Sequence, residues 1–216
     1  MDIPTLKKLV RQGEGQYLEF KLKATHPEKI LKEFVAFANS EGGTLLIGVR
    51  DDLLIEGLKF PDEDEFLLSR AVERYCFPPI PYEIERICLE DSEKEILIFT
   101  IPKSDNSPHY VLANAELPEN KAFVRVGDRC VQASKEMRQI LKEKKKEKKS
   151  FSFHYGEKEN ILLKYLHTNT QITLNKFAEI ANINKNIASR TLVLLVLTNV
   201  LKIYPDEMED VFRYEV

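Results

Sequence analysis

The stretch that most limits how this chain can fold is residues 13–52, because it is typical of a strand, a helix and a second strand in close succession. Residues 17–22 alternate between apolar and polar side chains, which predicts a strand. Glu19 and Lys21 are then neighbours on the polar face of that strand. Pro27 suits the first position of a helix, and the apolar residues after it recur at helical spacing.

The second half of this unit predicts a buried strand that ends in acidic residues. The glycine pair at 42–43 ends the helix, and residues 44–49 are almost wholly apolar. Because that run is too short for another globular helix, we expect a strand that is covered on both faces. The strand delivers Asp51 and Asp52 to its C-terminal end.

The rest of the N-terminal part adds further helices and strands. Residues 62–75 predict a helix that buries Phe66 and Leu67, and Ser134 can cap a closing helix that carries apolar residues at helical spacing. This mixture predicts an α+β domain, built on a mixed sheet, over residues 1–141. The remaining predicted elements are a helix at 3–12, hairpin strands at 82–89 and 95–101, and a strand at 122–126.

The C-terminal part has a different pattern. A Lys-rich linker is predicted at residues 142–156, because the run LKEKKKEKKS has no core of its own. Residues 157–216 predict three helices and a β-hairpin, and the second and third helices are joined by a very short turn. This pattern looks like a small winged-helix domain, which is a helix-turn-helix with a β wing.

Net charge is uneven along the chain. Residues 1–140 carry 19 Lys and Arg against 25 Asp and Glu, a net charge of −6, whereas residues 141–150 carry 6 against 2, a net charge of +4. The acidic part would repel a polyanion, so any phosphate contact must come from a local patch. The basic run is either a solvated linker or an arm that contacts phosphate. Its lysines are Lys142, Lys144, Lys145, Lys146, Lys148 and Lys149.

The predicted third helix of the C-terminal domain carries residues suited to reading a DNA groove. Lys185, Asn186 and Arg190 lie at its start or on its exposed side, and Asn can read adenine while Arg reads guanine. The tip of the predicted wing is acidic, whereas a wing that contacts phosphate is ordinarily basic. With few cations available, we expect weak binding unless two copies act together, and so we predict a homodimer.

Other signals narrow the functional class. An apolar run near the length of a membrane span is absent from the sequence, as is a charged-then-apolar leader, so we expect a cytoplasmic protein without a membrane partner. Three scattered cysteines predict neither a disulfide framework nor a zinc site. The sequence lacks the phosphate-binding loop G-x-x-x-x-G-K-[ST], and nothing in it supports ATP binding.

Four motifs occur in a characteristic order. They are GE followed by LEFK, FAN followed by EGG, the strand end LLIGVRDD, and FVRVGD. In these motifs the chain resembles the Schlafen AlbA-type domain family, whose members are described as DNA-binding proteins or transcriptional regulators. The resemblance covers about the first 140 residues. It implies a mixed-sheet, AlbA-like α+β domain.

The resemblance also implies a candidate catalytic site. In the animal Schlafen members that cut RNA it points to three acids, which correspond here to Glu14, Glu19 and Asp51. Such carboxylates would hold Mg²⁺ or Mn²⁺, and Lys21 would offset charge on a scissile phosphate. The alternative is that Glu19 and Lys21 form an ordinary solvated ion pair, worth at most about 1 kcal/mol. Both alternatives stay open, and so does the question of whether the chain is an enzyme.

We interpret the chain as a nucleic-acid-binding protein, and more narrowly as a DNA-binding transcriptional regulator. The first alternative is a metal-dependent endoribonuclease that acts on structured RNA through the three acids. The second is a non-catalytic interaction protein that dimerises through its C-terminal domain, because the apolar run LVLLVL lies in the predicted third helix.

Overall fold

The computed structural model describes residues 1–90, 92–113, 119–145 and 155–214, and this chain divides into two compact units, Met1–Val131 and Gln132–Val216. The boundary differs from the predicted one. The helix that follows Ser134, assigned from sequence to the N-terminal domain, lies in the second unit. Its Ile140 is 1% exposed and belongs to the apolar core of that unit.

The first unit alternates helices with short strands. Its elements are α1 (Ile3–Arg11), β1 (Leu18–Lys21), α2 (Pro27–Asn39), β2 (Gly43–Ile47), α3 (Pro61–Tyr75), β3 (Cys76–Phe77), β4 (Glu83–Cys88), β5 (Glu95–Ile101), β6 (Tyr110–Val111), β7 (Phe123–Val126) and β8 (Arg129–Gln132), the last of which crosses the boundary between the units. The predicted strand–helix–strand unit is present as β1, α2 and β2. The short strands β3, β6 and β8 were not predicted.

The main sheet of this unit has four strands in the order β1-β2-β5-β4. Strands β1 and β2 are parallel, with Glu19 opposite Leu45, whereas β2, β5 and β4 pair antiparallel. The sheet is therefore mixed, and the predicted α+β class is confirmed.

Both faces of the sheet are covered, which explains the continuous apolar run of β2. Leu45 and Ile47 face a core that includes residues of α2 and α3, whereas Leu46 faces a second core with Leu6 and Val10 of α1. Alternate side chains of a strand point to opposite faces, so a strand covered on both sides needs apolar residues at every position. The prediction of a doubly covered strand is confirmed.

The buried face of helix α3 is not the face that was predicted. Leu68, Ala71 and Val72 are buried against the core, because they form one helical stripe. Phe66 and Leu67 lie away from that stripe and are 64% and 44% exposed. The prediction that they are buried is therefore wrong.

The second unit contains α4 (Lys135–Lys144), α5 (Glu157–Thr168), β9 (Ile172–Thr173), α6 (Leu174–Ile180), α7 (Lys185–Leu197), β10 (Leu201–Tyr204) and β11 (Val211–Tyr214). Its sheet is antiparallel in the order β10-β11-β9. Thr173 caps α6 and Asn184 caps α7, each accepting a backbone N–H with its side chain. The predicted helices and hairpin are present, and β9 is an additional strand.

The apolar run of α7 is used within its own unit. Leu192, Val193, Leu195 and Val196 are all buried in the core that α4, α5 and α6 share. Four of the six side chains of this run are therefore used within the same chain, which weakens the observation that favoured dimerisation through it.

Candidate functional site

The most heavily connected polar side chain of the first unit is Arg125 on β7, whose side chain is 0% exposed. Its Nη2 donates to the carbonyl oxygens of Gly15 at 2.9 Å and Leu18 at 3.1 Å. Its Nη1 donates to Glu33 Oε2 at 2.9 Å. The guanidinium also lies 4.9 Å from the ring centroid of Phe37, within cation–π range. Arg125 thus ties β7 to α2 and to the segment that leads into β1.

Glu19 lies beside this arginine and is 5% exposed, so it is not the solvated strand residue that one alternative supposed. One carboxylate oxygen, Oε1, binds Lys21 Nζ, and the other, Oε2, lies 2.6 Å from Arg125 Nη2. Within the described residues Oε2 has no hydrogen-bond partner. The reason is that Nη2 carries two hydrogens, and both are already directed to backbone carbonyls. Glu19 and Arg125 thus form a close, buried ion pair.

Glu33 and Cys130 complete this buried cluster. The Cys130 thiol donates to Glu33 Oε2 at 2.6 Å. Burial raises the pKa of Glu33, and the nearby Glu19 carboxylate raises it further. Burial, together with the charge of Glu33, raises the pKa of Cys130 to about 12. At neutral pH the thiol therefore stays protonated and is unsuited to act as a nucleophile.

Lys21 is largely engaged within the cluster. Its ammonium group donates to Glu19 and, at 2.8 Å, to the carbonyl oxygen of Phe20. Burial opposes the charge of Lys21, but the hydrogen bond and attraction of Glu19 outweigh burial and raise the pKa. Lys21 therefore remains a cation, but it serves first to neutralise Glu19.

The structure brings together two of the three predicted metal ligands. Glu14 accepts the backbone N–H of Phe20 at 2.8 Å, and burial, with a smaller effect of the neighbouring Glu19, raises the pKa of its carboxyl. Asp51 lies exposed in the turn after β2, six positions beyond Leu45, the residue paired with Glu19. The ranges that the structure describes include all three acids, and they hold no group of three His, Cys, Asp or Glu residues able to bind a metal ion.

The predicted Mg²⁺ or Mn²⁺ site therefore does not fit the arrangement of these residues. A hard divalent cation needs several oxygen ligands that converge on one point. One oxygen of Glu19 is held by Lys21, and the other faces the positive charge of Arg125. The site is better described as an internal ion-pair cluster than as a metal centre.

The second unit presents the other predicted contact residues at the surface. Lys185, Asn186 and Arg190 of α7 are all exposed. In the part of the chain that the structure describes, neither Lys185 nor Arg190 forms an ion pair. The first half of α7 therefore carries two exposed cations without a direct carboxylate partner among the described residues, although Glu136, Glu209 and Asp210 line the same cavity as Lys185.

The acids of the predicted wing are partly engaged inside their own unit. Asp210 is 7% exposed and accepts hydrogen bonds from the Ser134 hydroxyl and the backbone N–H of Asp206. Burial raises the pKa of the Asp210 carboxyl. Glu209 accepts the backbone N–H of Asn175 at 2.9 Å. These acids hold the hairpin against α4 and α6.

Three of the predicted phosphate-binding lysines can be located. Lys142 and Lys144 belong to the last turn of α4 and Lys145 caps it, and all three are exposed. The C-terminal part of the Lys-rich run, with Lys146, Lys148 and Lys149, lies outside the described residues. The predicted linker thus begins inside a helix.

Sequence reasoning missed Arg125, Glu33 and Cys130 as members of a cluster. One signal was available for Glu33, which lies three residues after Ile30 and four before Phe37 and so belongs to the buried stripe of α2. A charged residue at such a position is rarely buried without a partner. The buried cation that pairs with Glu33 is Arg125, which lies in the FVRV motif between apolar residues.

A second buried polar group explains the FAN motif. Asn39 donates to the carbonyl oxygens of His109 at 2.9 Å and Phe123 at 3.0 Å, and its Oδ1 accepts the His109 N–H at 2.7 Å. The His109 ring is fully buried and contacts Ser104 Oγ at 2.6 Å. Asn39 therefore joins the end of α2 to the loop before β6 and to β7.

Across the described ranges, no helix is both long enough and apolar enough to cross a bilayer. Among solved structures, the DIP2311 protein from Corynebacterium diphtheriae is 19% identical with a TM-score of 0.40, and the match covers 56% of this chain and 22% of that chain. This chain thus spans less than a quarter of the length of that protein.

The family comparison covers the whole buried cluster. The model described as Schlafen, AlbA_2 matches residues 14–134, which is more than half of the chain. The matched range contains the four motifs except for Gly13, which lies one residue before it, and it includes Glu19, Glu33 and Arg125. The resemblance inferred from sequence is confirmed, and the chain belongs to the Schlafen AlbA_2 family.

Proposed function

We propose that this protein binds nucleic acid and acts as a DNA-binding transcriptional regulator, with α7 of the second unit as its recognition helix. The observation that carries the proposal is the exposed start of α7, where Lys185 and Arg190 have no carboxylate partner in the described chain. Membership of the AlbA_2 family suggests nucleic-acid binding independently. The order of three helices and a hairpin matches a winged helix, in which this helix enters the major groove.

The exposed residues of α7 suit both parts of DNA recognition. Lys185 supplies a point charge for phosphate, which positions a protein on the duplex. Asn186 and Arg190 lie four residues apart on one helical face and have the side chains that pair with adenine and guanine. One copy of this surface is small, and its acidic wing adds no phosphate contact. We therefore expect two copies to bind together as a homodimer.

We expect the double variant Lys185→Ala/Arg190→Ala to lose most DNA binding. Loss of the Arg190 base contact alone should cost about 1–3 kcal/mol, and loss of the Lys185 phosphate contact should lower the salt dependence. Fluorescence anisotropy with labelled duplex DNA over a salt series measures both effects. The matched control is Lys8→Ala/Arg11→Ala, which removes the same charge from exposed positions of α1 in the first unit. An equal loss of DNA affinity in the two double variants would show non-specific attraction. Undiminished binding by Lys185→Ala/Arg190→Ala would contradict the proposal.

The Lys-rich run gives a separate expectation. If Lys142, Lys144 and Lys145 contact phosphate, their replacement by Gln should flatten the plot of log affinity against log salt by about 0.9 per lost contact on B-DNA. The effect should be similar on every DNA sequence, since phosphate contacts do not read bases. The same measurement extends to Lys146, Lys148 and Lys149. An unchanged slope would show that the run is only a solvated linker.

The endoribonuclease alternative gains no support from the arrangement of its acids. It requires a metal held by Glu14, Glu19 and Asp51, whereas Glu19 is neutralised by two cations and Asp51 is apart from it. We therefore propose no cleavage step.

A further inference from the structure

Helix α3 has an exposed apolar centre. Phe66 and Leu67 are 64% and 44% exposed, while Leu68 and Val72, on the other side of the helix, are buried. A neighbouring aromatic and aliphatic residue, both open to solvent on one helix, form the kind of patch that marks a contact surface. Phe66 and Leu67 occupy the middle of a helix that has 15 residues.

Charges are arranged around this centre in a definite order. Toward the N-terminus, Glu63 is exposed and forms no ion pair in the described ranges. Toward the C-terminus, Arg70 is exposed and pairs with Glu73 at 3.3 Å within the same helix. Because both members of that pair are well exposed, the pair contributes little and leaves Arg70 available. Along the exposed face Glu63 therefore precedes the apolar centre and Arg70 follows it, with Glu73 and Arg74 farther toward the C-terminus.

This arrangement of charges favours one kind of binding partner for the exposed face of α3. Glu63 and Glu73 lie beside Arg70 and Arg74, so the face has no net positive charge with which to attract a nucleic acid. A second α3 that runs antiparallel places Glu63 of each copy opposite Arg70 of the other. The midpoint between these two positions falls between Phe66 and Leu67, so the apolar residues of both copies meet at the centre.

We propose that α3 is a homodimer interface, formed by antiparallel pairing of this helix with α3 of a second copy of the chain. Such an interface is isologous, so that each favourable contact occurs twice. One helix pair buries less surface than a standard interface, and association is therefore expected to depend on concentration. The proposal concerns the first unit and does not depend on nucleic-acid binding by α7.

The first test is the molar mass in solution, measured by light scattering after gel filtration, in a series from micromolar to hundreds of micromolar protein. The mass of the parent should rise from 25.1 kDa toward twice that value. Phe66→Glu/Leu67→Glu should stay at the protomer mass, with an unchanged circular dichroism spectrum because both side chains are exposed. Leu54→Glu, at an exposed apolar residue outside α3, is the control and should dimerise like the parent.

A charge exchange tests the antiparallel register. Glu63→Arg alone and Arg70→Glu alone should each weaken dimerisation at least tenfold, because like charges then face each other. An equimolar mixture of the two variants should recover the dimer as a heterodimer, since each arginine then meets a glutamate of the other chain. A parent that stays monomeric throughout the series would overturn the proposal and leave another protein as the occupant of α3. A dimer that the Phe66 and Leu67 changes leave intact, or a mixture that stays monomeric, would also overturn it.

Discussion

Replacing Arg125 by methionine is expected to lower the free energy of unfolding of the first unit by about 3–5 kcal/mol. Methionine keeps much of the length of the side chain but removes the positive charge. Glu19 and Glu33, which are 5% and 3% exposed, would then lie buried without their shared cation. The carbonyl groups of Gly15 and Leu18 would also lose the guanidinium donor and keep the backbone hydrogen bonds between these two residues. Such a loss is a large part of the total stability of a domain.

The measurement is urea unfolding followed by circular dichroism, with hydrogen exchange of amides in β1 and β7 to assign the transition to the first unit. Arg11→Met, at an exposed arginine at the end of α1, is the matched control and should change stability by less than about 0.5 kcal/mol. Adding Glu19→Gln and Glu33→Gln to Arg125→Met should recover part of the loss, because the uncompensated charges are then removed. If Arg125→Met alone unfolds like the parent, the cluster does not stabilise the fold.

Replacing Gly42 by alanine should destabilise the first unit by about 3 kcal/mol or more. Gly42 has φ +81°, a conformation that costs an L-residue roughly 1–2 kcal/mol. In addition, a Cβ at this position would lie 2.8 Å from the carbonyl oxygen of Ile101 and 2.9 Å from the backbone nitrogen of Lys103. Backbone atoms cannot swing aside as a side chain can, so the chain at the end of β5 would have to shift.

Gly127→Ala is the matched control for this prediction. Gly127 also has a positive φ, +62°, but its Cβ would meet no atom within 4 Å. Only the conformational cost of about 1–2 kcal/mol is then expected. Thermal and urea unfolding of both variants would separate the two contributions. Equal destabilisation would show that the close approach at Gly42 is unimportant.

The elements that could be predicted from the sequence are those with local causes. Helix α2 begins at Pro27, and the apolar spacing of its residues identifies its buried stripe. The continuous apolar run of β2 predicted a strand covered on both faces, and the predicted cap Ser134 marks the start of α4. In each case residues within a few positions of one another carry the signal. The α+β class followed from the order of these elements.

Some assignments failed because they depend on where neighbouring elements pack. Phe66 and Leu68 are both large and apolar, and only the position of the core decides which of them is buried. The helix after Ser134 has an apolar face suited to either unit, and its Ile140 lies in the core of the second unit. Periodicity identifies an apolar face but not the partner of that face.

The candidate site shows the same division. The sequence by itself determined the family motifs, the oppositely charged neighbours Glu19 and Lys21 of β1, and the exposed cations Lys185 and Arg190 of α7. Only the tertiary structure decided that Glu19 is buried, because its ion-pair partner Arg125 comes from a strand more than a hundred positions away. It also decided that Asp51 does not join Glu14 and Glu19, since strand register and the turn after β2 set their separation. A charged side chain can be recognised from the sequence alone. Its burial and neutralisation depend on contacts that form only when distant segments fold together.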